Sequence, residues 1–125
     1  ESGFHVNMED SQAAMRDGSI FEYCKLHDVV IQAWSVLQFG YFKGNFVGNE
    51  KFQQLNQVLN RLALKYSVNP SAIAIAWVLR YPAKMQAVVG TTNPKHLREV
   101  SQAANFSLTR KEWYEIYLAA GNNLP

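Results

Sequence analysis

Two short apolar runs, separated by long stretches of helix-forming sequence, constrain the fold of this 125-residue chain most strongly. The first covers residues 29–34 and is rich in β-branched side chains; the second covers residues 85–89 and is closed by Gly90. Such runs are typical of strands that are buried on both faces of a parallel sheet. We therefore predict an α/β fold, in which helices connect the strands and cover them.

Capping signals predict the helices that lie around these strands. Ser19 with Glu22, and Thr109 with Glu112, have the spacing of capping boxes. Asn-Pro pairs at 69–70 and 93–94 provide a cap followed by a first-turn proline. The predicted helices cover residues 20–27, 50–66, 71–81 and 94 to about 104, with a last helix after Thr109 that stops at Gly121. Residues 4–7 alternate between apolar and polar side chains over a short stretch, which is a weak signal for a strand.

Composition excludes several classes of protein. With 12 Lys+Arg against 10 Asp+Glu and no basic run, the chain is not expected to bind nucleic acid. Its longest apolar stretch, residues 72–79, is too short to cross a membrane. A single cysteine, Cys24, forms no internal disulfide, and the histidines at 5, 27 and 96 share no metal-ligand spacing, so no metal site is expected. No signal segment is visible, and we expect a cytoplasmic location.

The two predicted strands end in residues that suit ligand binding. Ligands of parallel α/β proteins gather at the carboxyl ends of strands. The first strand ends at Trp34, whose ring can stack on a flat cofactor or pack in the core. The second continues through Gly90, Thr91, Thr92 and Asn93 into a helix, and such a turn offers N–H groups and hydroxyls to a phosphate. The alternative is that Thr92 and Asn93 only cap the helix.

The segment between the first strand and the next helix, residues 37–49, is unusual for a connection. It contains three glycines and the aromatic residues Phe39, Tyr41, Phe42 and Phe46. One interpretation is a binding loop, and the other is a loop that packs its own aromatic rings into the protein. For Cys24, which shares a helix face with Ile20, a structural thiol is favoured over a nucleophile.

At the two strand ends the chain resembles the last part of an aldo-keto reductase. Residues 33–37 (AWSVL) resemble the Ala-Tyr-Ser-Pro-Leu motif that follows the seventh barrel strand of this family, and residues 88–99 (VVGTTNPKHLRE) resemble the motif after the eighth. The resemblance implies a (β/α)8 TIM barrel. Residues 1–125 would supply part of that one domain: about strands 6–8, with strand 6 near residues 4–7, and the helices that follow.

The resemblance also implies NADPH as cofactor and aldehydes or ketones as substrates. It carries eight residues over to cofactor binding: Trp34, Ser35, Leu37, Gly90, Thr91, Thr92, Asn93 and Glu99. Trp34 would stack on the nicotinamide, and Ser35 and Leu37 would contact the pyrophosphate. Residues 91–93 would hold the adenosine 2′-phosphate, and Glu99 would lie near the adenine amino group. Gly90 replaces a lysine of many members, and His96 and Val100 replace an arginine and an asparagine, which leaves the choice between NADPH and NADH open.

The catalytic tetrad of the family (aspartate, tyrosine, lysine and histidine) comes from the first four strands, none of which resembles any part of this chain. We therefore assign no catalytic residue and expect a fragment of a complete reductase that is inactive alone. One alternative is a non-catalytic nucleotide-binding or scaffold domain that forms homo-oligomers through its unpaired strand edges. Another is that a separate partner chain supplies the missing strands. The aromatic residues of segment 37–49 favour an apolar or aromatic carbonyl substrate.

Overall fold

The computed structural model describes residues 19–40 and 43–124, and every structural statement below concerns these residues. The predicted strand at residues 4–7 lies outside them, as do Tyr41 and Phe42. The elements, in chain order, are α1 (Ser19–Leu26), β1 (Ile31–Trp34), a 3-10 turn (Glu50–Phe52), α2 (Gln53–Tyr66), α3 (Pro70–Leu79), β2 (Met85–Val88), α4 (Pro94–Ser101), a second 3-10 turn (Gln102–Asn105) and α5 (Arg110–Ala119).

The two strands form a parallel pair, as the alternation of strands and helices predicts. Ile31 is the partner of Met85, and the register continues to Trp34 opposite Val88. The expectation that these strands are buried on both faces is wrong, because their side chains alternate between half-buried and exposed. Helix α3 packs against β2 on one side, whereas no described element covers the opposite face, where the amides of Gln32 and Gln86 are joined by a hydrogen bond of 3.1 Å.

The hydrophobic core lies between the helices and the covered side of the sheet. Its largest fully buried side chains are Leu59, Leu62, Ile73 and Leu108. Residues 72–76 of α3 are all buried because this helix is apolar on every side, as its sequence predicts. None of the described helices is by itself long and apolar enough to cross a bilayer. The pair Glu50–Tyr66 and Pro70–Leu79 passes this test of length and composition only when the two are taken together, and the pair is bent by 94°.

The caps predicted at Asn69, Asn93 and Thr109 are formed, whereas Ser19 is the first residue of α1 rather than a cap before it. Helix ends differ from the prediction by a few residues. Asn69 accepts a hydrogen bond from the Ser71 amide at 2.9 Å, and the Thr109–Glu112 capping box has both of its bonds. Helix α3 ends at Leu79 rather than at residue 81. Helix α4 changes to a 3-10 turn at Gln102, earlier than predicted. The chain leaves α2 through Ser67, whose φ of 55° is in the left-handed region.

A stacked pair of indoles and a buried carboxylate attach α5 to the rest of the fold, besides the core packing of Ile116 and the ion pair of Glu115 with Arg61. Trp77 and Trp113 stack with ring centroids 4.7 Å apart, and each indole N–H donates to the other residue's carbonyl oxygen at 3.0 Å. The buried Glu112 carboxylate accepts hydrogen bonds from Lys65 Nζ at 2.5 Å and Tyr66 Oη at 2.8 Å, besides those from Thr109. Burial raises the pKa of Glu112, but these bonds outweigh it and lower the pKa from 4.5 to about 2.

Candidate functional site

The parallel register places the two predicted ligand-binding motifs side by side. Trp34, the last residue of β1, is the partner of Val88, the last residue of β2. The carboxyl ends of both strands therefore lie at the same edge of the sheet, although more than fifty residues separate them in the chain. This edge, with the segments that continue from it, is the candidate site.

At the end of β1 the chain turns sharply. The Trp34 side chain lies on the uncovered face of the sheet and is 53% exposed, which fits the prediction of ring stacking on a ligand better than a core position. Ser35 follows with a φ of 55°, and its carbonyl oxygen accepts a hydrogen bond from the Gln38 amide at 2.9 Å. A serine in the left-handed region is an unfavourable backbone state of the kind that is concentrated at functional sites.

At the end of β2 the chain runs into α4 through an ordered turn. Thr91 Oγ1 accepts a hydrogen bond from the Asn93 amide at 3.2 Å, and Asn93 Oδ1 accepts one from the Lys95 amide at 2.9 Å. The capping interpretation is thus correct for Asn93, whose side-chain oxygen is engaged in the helix. Thr92 is exposed, and outside residues 89–91 no described heavy atom lies within 4 Å of the place that a Cβ on Gly90 would take. A ligand can therefore approach this turn closely.

The charge around this turn favours an anion. Lys95, His96 and Arg98 are exposed on the first turns of α4, and the amino end of the helix carries a partial positive charge. Glu99 is half-buried on the same helix. An exposed indole on one strand end and a cationic helix start on the other are the types of group that bind the ring and the phosphate of a nucleotide.

Segment 37–49 packs part of its own aromatic content. Phe46 is buried, and Phe39 and Phe46 both contact the ring of Phe52, with centroids 5.1 and 6.4 Å from it. Of the two interpretations of this segment, the structure thus supports internal packing for these two rings. The segment also folds back on the site, because the Phe46 amide donates to the Leu37 carbonyl oxygen at 3.0 Å. Cys24 is buried, as a structural thiol should be.

Sequence reasoning missed one residue next to this site, Asn56. It is buried on the inner side of α2 beside Leu55, and Glu112 is the other buried polar residue among those described. The signal was present: an asparagine occupies a position between the apolar residues Leu55 and Leu59 of an amphipathic helix. A buried amide requires hydrogen-bond partners, and its partners lie in segment 37–49 and at the start of α2.

Comparisons with known proteins show which family the chain is similar to. The model of the Aldo/keto reductase family matches residues 8–119. A 6-dehydroglucose reductase of Agrobacterium fabrum is 36% identical over 89 residues, which are 70% of this chain and 28% of that protein. A 9,11-endoperoxide prostaglandin H2 reductase of Trypanosoma cruzi is 27% identical over 111 residues, 89% of this chain and 36% of that protein.

The similarity extends to three-dimensional structure. The crystal structure of a thermostable aldo-keto reductase, Tm1743, in complex with the inhibitor epalrestat superposes with a TM-score of 0.65 at 25% sequence identity. The match covers 89% of this chain and 36% of that one. The chain thus corresponds to little more than a third of the length of a full reductase, and its fold is part of a (β/α)8 barrel.

Proposed function

Because the chain belongs to the aldo/keto reductase family, we propose that it is the C-terminal, cofactor-binding portion of an NADPH-dependent reductase that converts aldehydes or ketones to alcohols. Residues 1–125 then form one piece of a single barrel domain. The observation that carries the proposal is the register of β1 and β2, which brings the Trp34 and Gly90–Asn93 motifs to one edge. Neither motif alone spans a dinucleotide, but together they present groups for both of its ends.

Each residue of the site has a proposed role. Trp34 stacks on the nicotinamide ring, and its exposure on the uncovered face of the sheet supports this role. Ser35 and Leu37 contact the pyrophosphate from the turn after β1. The second motif takes the adenosine end: Thr91, Thr92 and Asn93 hold the 2′-phosphate, with the cations of α4 nearby, Gly90 lets the ligand approach, and Glu99 accepts from the adenine amino group.

The chemistry divides between this part and the rest of a complete enzyme. NADPH supplies a hydride to the carbonyl carbon, and an acid must protonate the carbonyl oxygen. The chain's proposed residues bind and orient the cofactor, whereas the protonating tetrad would belong to strands outside residues 1–125. We therefore propose that the isolated chain binds cofactor without turnover. The names of the two relatives, one for a dehydroglucose and one for a prostaglandin endoperoxide, differ so much that the carbonyl substrate stays unassigned.

The uncovered sheet face favours a second candidate function. Trp34 and Val88 are 53% and 44% exposed on it, and within the described residues each strand has only the other as a neighbour in the sheet. Open edges and exposed apolar side chains promote strand pairing between copies. The alternative proposal is a non-catalytic scaffold domain that self-associates through these edges. It predicts a concentration-dependent dimer by analytical ultracentrifugation and no affinity for nucleotide.

Calorimetric titration of the chain with NADPH and with NADH tests the main proposal. We expect saturable binding of NADPH that weakens by about tenfold in Thr91→Ala, the loss expected for one hydrogen bond to a charged group. Ser107→Ala, an exposed hydroxyl outside the site, is the matched control and should bind as the unchanged chain does. Absence of binding, or equal loss in both variants, contradicts the proposal.

A further inference from the structure

Asn56 holds the backbone of the segment that leads from the site into α2. Its side chain is 8% exposed. Its Oδ1 accepts from the Gly48 amide at 2.8 Å, and its Nδ2 donates to the carbonyl oxygens of Phe46, Asn49 and Phe52 at 2.9, 3.1 and 3.0 Å. The two N–H groups of this amide thus donate to three carbonyl oxygens, so one N–H is shared between two of them. One side chain thereby fixes both sides of the Gly48 turn, where φ is +77°.

Phe46 connects this anchorage to the candidate site. Phe46 presents its carbonyl oxygen to Asn56 and its amide to the carbonyl oxygen of Leu37, at 3.0 Å. Gln38 and Asn45 form an antiparallel bridge beside that bond. Because Leu37 lies two residues beyond Ser35, a shift of the Phe46 backbone moves the turn after β1 directly. The second motif, at residues 90–93, is attached to α4 and has none of these bonds.

We propose that Asn56 is a positioning residue: through Phe46 it fixes Leu37 and the turn after β1 in the conformation that receives the nicotinamide and pyrophosphate half of the cofactor. This inference rests on the proposed function. In this role Asn56 acts on one half of the site only. A residue that merely stabilises the fold would affect both halves alike.

The amide, rather than any polar group, is required at this position. Asn56→Asp keeps an acceptor for the Gly48 amide but places a carboxylate oxygen against three carbonyl oxygens, which is repulsive. Asn56→Ala removes all four hydrogen bonds without adding charge, and it decides the test if the aspartate variant does not fold. Asn60, one turn later on α2 and exposed, provides the matched control Asn60→Asp.

The first measurement needs no ligand. Hydrogen exchange of the chain, below the melting temperature of every variant, should show the Phe46 and Gly48 amides exchanging at least about tenfold faster in both Asn56 variants. Amides of β2 and α4 should be unchanged, and Asn60→Asp should match the unchanged chain. Unaltered exchange in segment 37–49 overturns the proposal whatever the ligand data show.

The second measurement separates the two halves of the site. The Asn56 variants should bind NADPH about tenfold more weakly while keeping their affinity for adenosine 2′,5′-bisphosphate, which occupies only the adenosine end. Equal loss for both ligands, or no loss of NADPH affinity, overturns the positioning role. If the unchanged chain binds neither ligand, the proposed function fails and the positioning role fails with it. The exchange rates of the Phe46 and Gly48 amides then still show whether Asn56 anchors the segment. The two failures are therefore distinguishable.

Discussion

Trp34 and Val88 are direct partners in a parallel pair of strands, and both side chains lie on the face of the sheet that no described element covers. In a closed barrel the inward-facing side chains of all the strands pack against one another in the interior. The same pairing brings the proposed cofactor motif after β1 beside the one after β2. One register thus places Trp34 and Val88 together on the uncovered face and brings the parts of the candidate site together.

Glu112 makes the attachment of α5 sensitive to pH. Its pKa in the folded chain is about 2, against 4.5 as the ordinary value, so its stabilising effect is complete above pH 4.5 and disappears as the pH falls towards 2. Glu112→Gln should lower the free energy of unfolding by about 1–3 kcal/mol at neutral pH. Urea titrations from pH 7 to pH 2 should show this difference shrinking below pH 4.5.

The control for Glu112 is its neighbour on the same helix, Glu115. Glu115 pairs with Arg61 at the surface, where ion pairs contribute about 0–1 kcal/mol. Glu115→Gln should therefore change the stability of the chain little. A difference between the unchanged chain and Glu112→Gln that stays constant down to pH 2 would contradict the assignment.

Two serines with the same backbone strain should respond differently to glycine. Ser35 and Ser67 both have a φ of 55°, a region that glycine adopts without the penalty of a side chain. Ser67→Gly, at the end of α2, should stabilise the chain by about 0.5–1 kcal/mol in thermal unfolding and leave NADPH binding unchanged. Ser35→Gly should not destabilise the chain, but it removes a proposed pyrophosphate contact and should weaken NADPH binding by about tenfold. Equal affinities would remove Ser35 from the site.

The stacked pair of Trp77 and Trp113 should be energetically coupled. Each ring donates to the other's carbonyl oxygen and packs on the other's face, so replacing one indole weakens the contact that the second makes. In a double-mutant cycle with Trp77→Phe and Trp113→Phe we expect a coupling of about 0.5–1.5 kcal/mol in chemical unfolding. Tyr114→Phe, which keeps its ring and is 36% exposed, should cost little by comparison. Strict additivity in the cycle would show that the reciprocal geometry contributes nothing.

The sequence predicts the elements of this fold well because local chemistry specifies them. The Asn-Pro pairs and the Thr109–Glu112 box cap helices wherever they occur, so their helices begin where expected. The prediction that β1 and β2 are buried on both faces is wrong for the described residues. A β-branched run is typical of a strand that is covered on both faces, as in a closed barrel. The described part of this chain supplies two neighbouring strands and the helices on one side of them.

The candidate site divides in the same way. Trp34 and the turn at residues 90–93 carry signals in their residue types, but Asn56 does not, because its partners are backbone groups that any sequence possesses. The positive φ of Ser35 is likewise invisible in the residue type, since serine rarely adopts it. The Asn56 contacts are formed where residues 46–49 fold back onto α2, beside the packing of Phe39 and Phe46 around Phe52.

The central claim, that the two strand ends form a cofactor site, is tested most directly by titrating the chain with NADPH while following its tryptophan fluorescence. Trp34 is the one tryptophan at the site, since Trp77 and Trp113 are engaged with each other on α3 and α5. The account predicts saturable quenching that is largely lost in Trp34→Phe and is retained in Trp77→Phe. No saturable signal up to millimolar NADPH, or the same quenching in Trp34→Phe as in the unchanged chain, would contradict it.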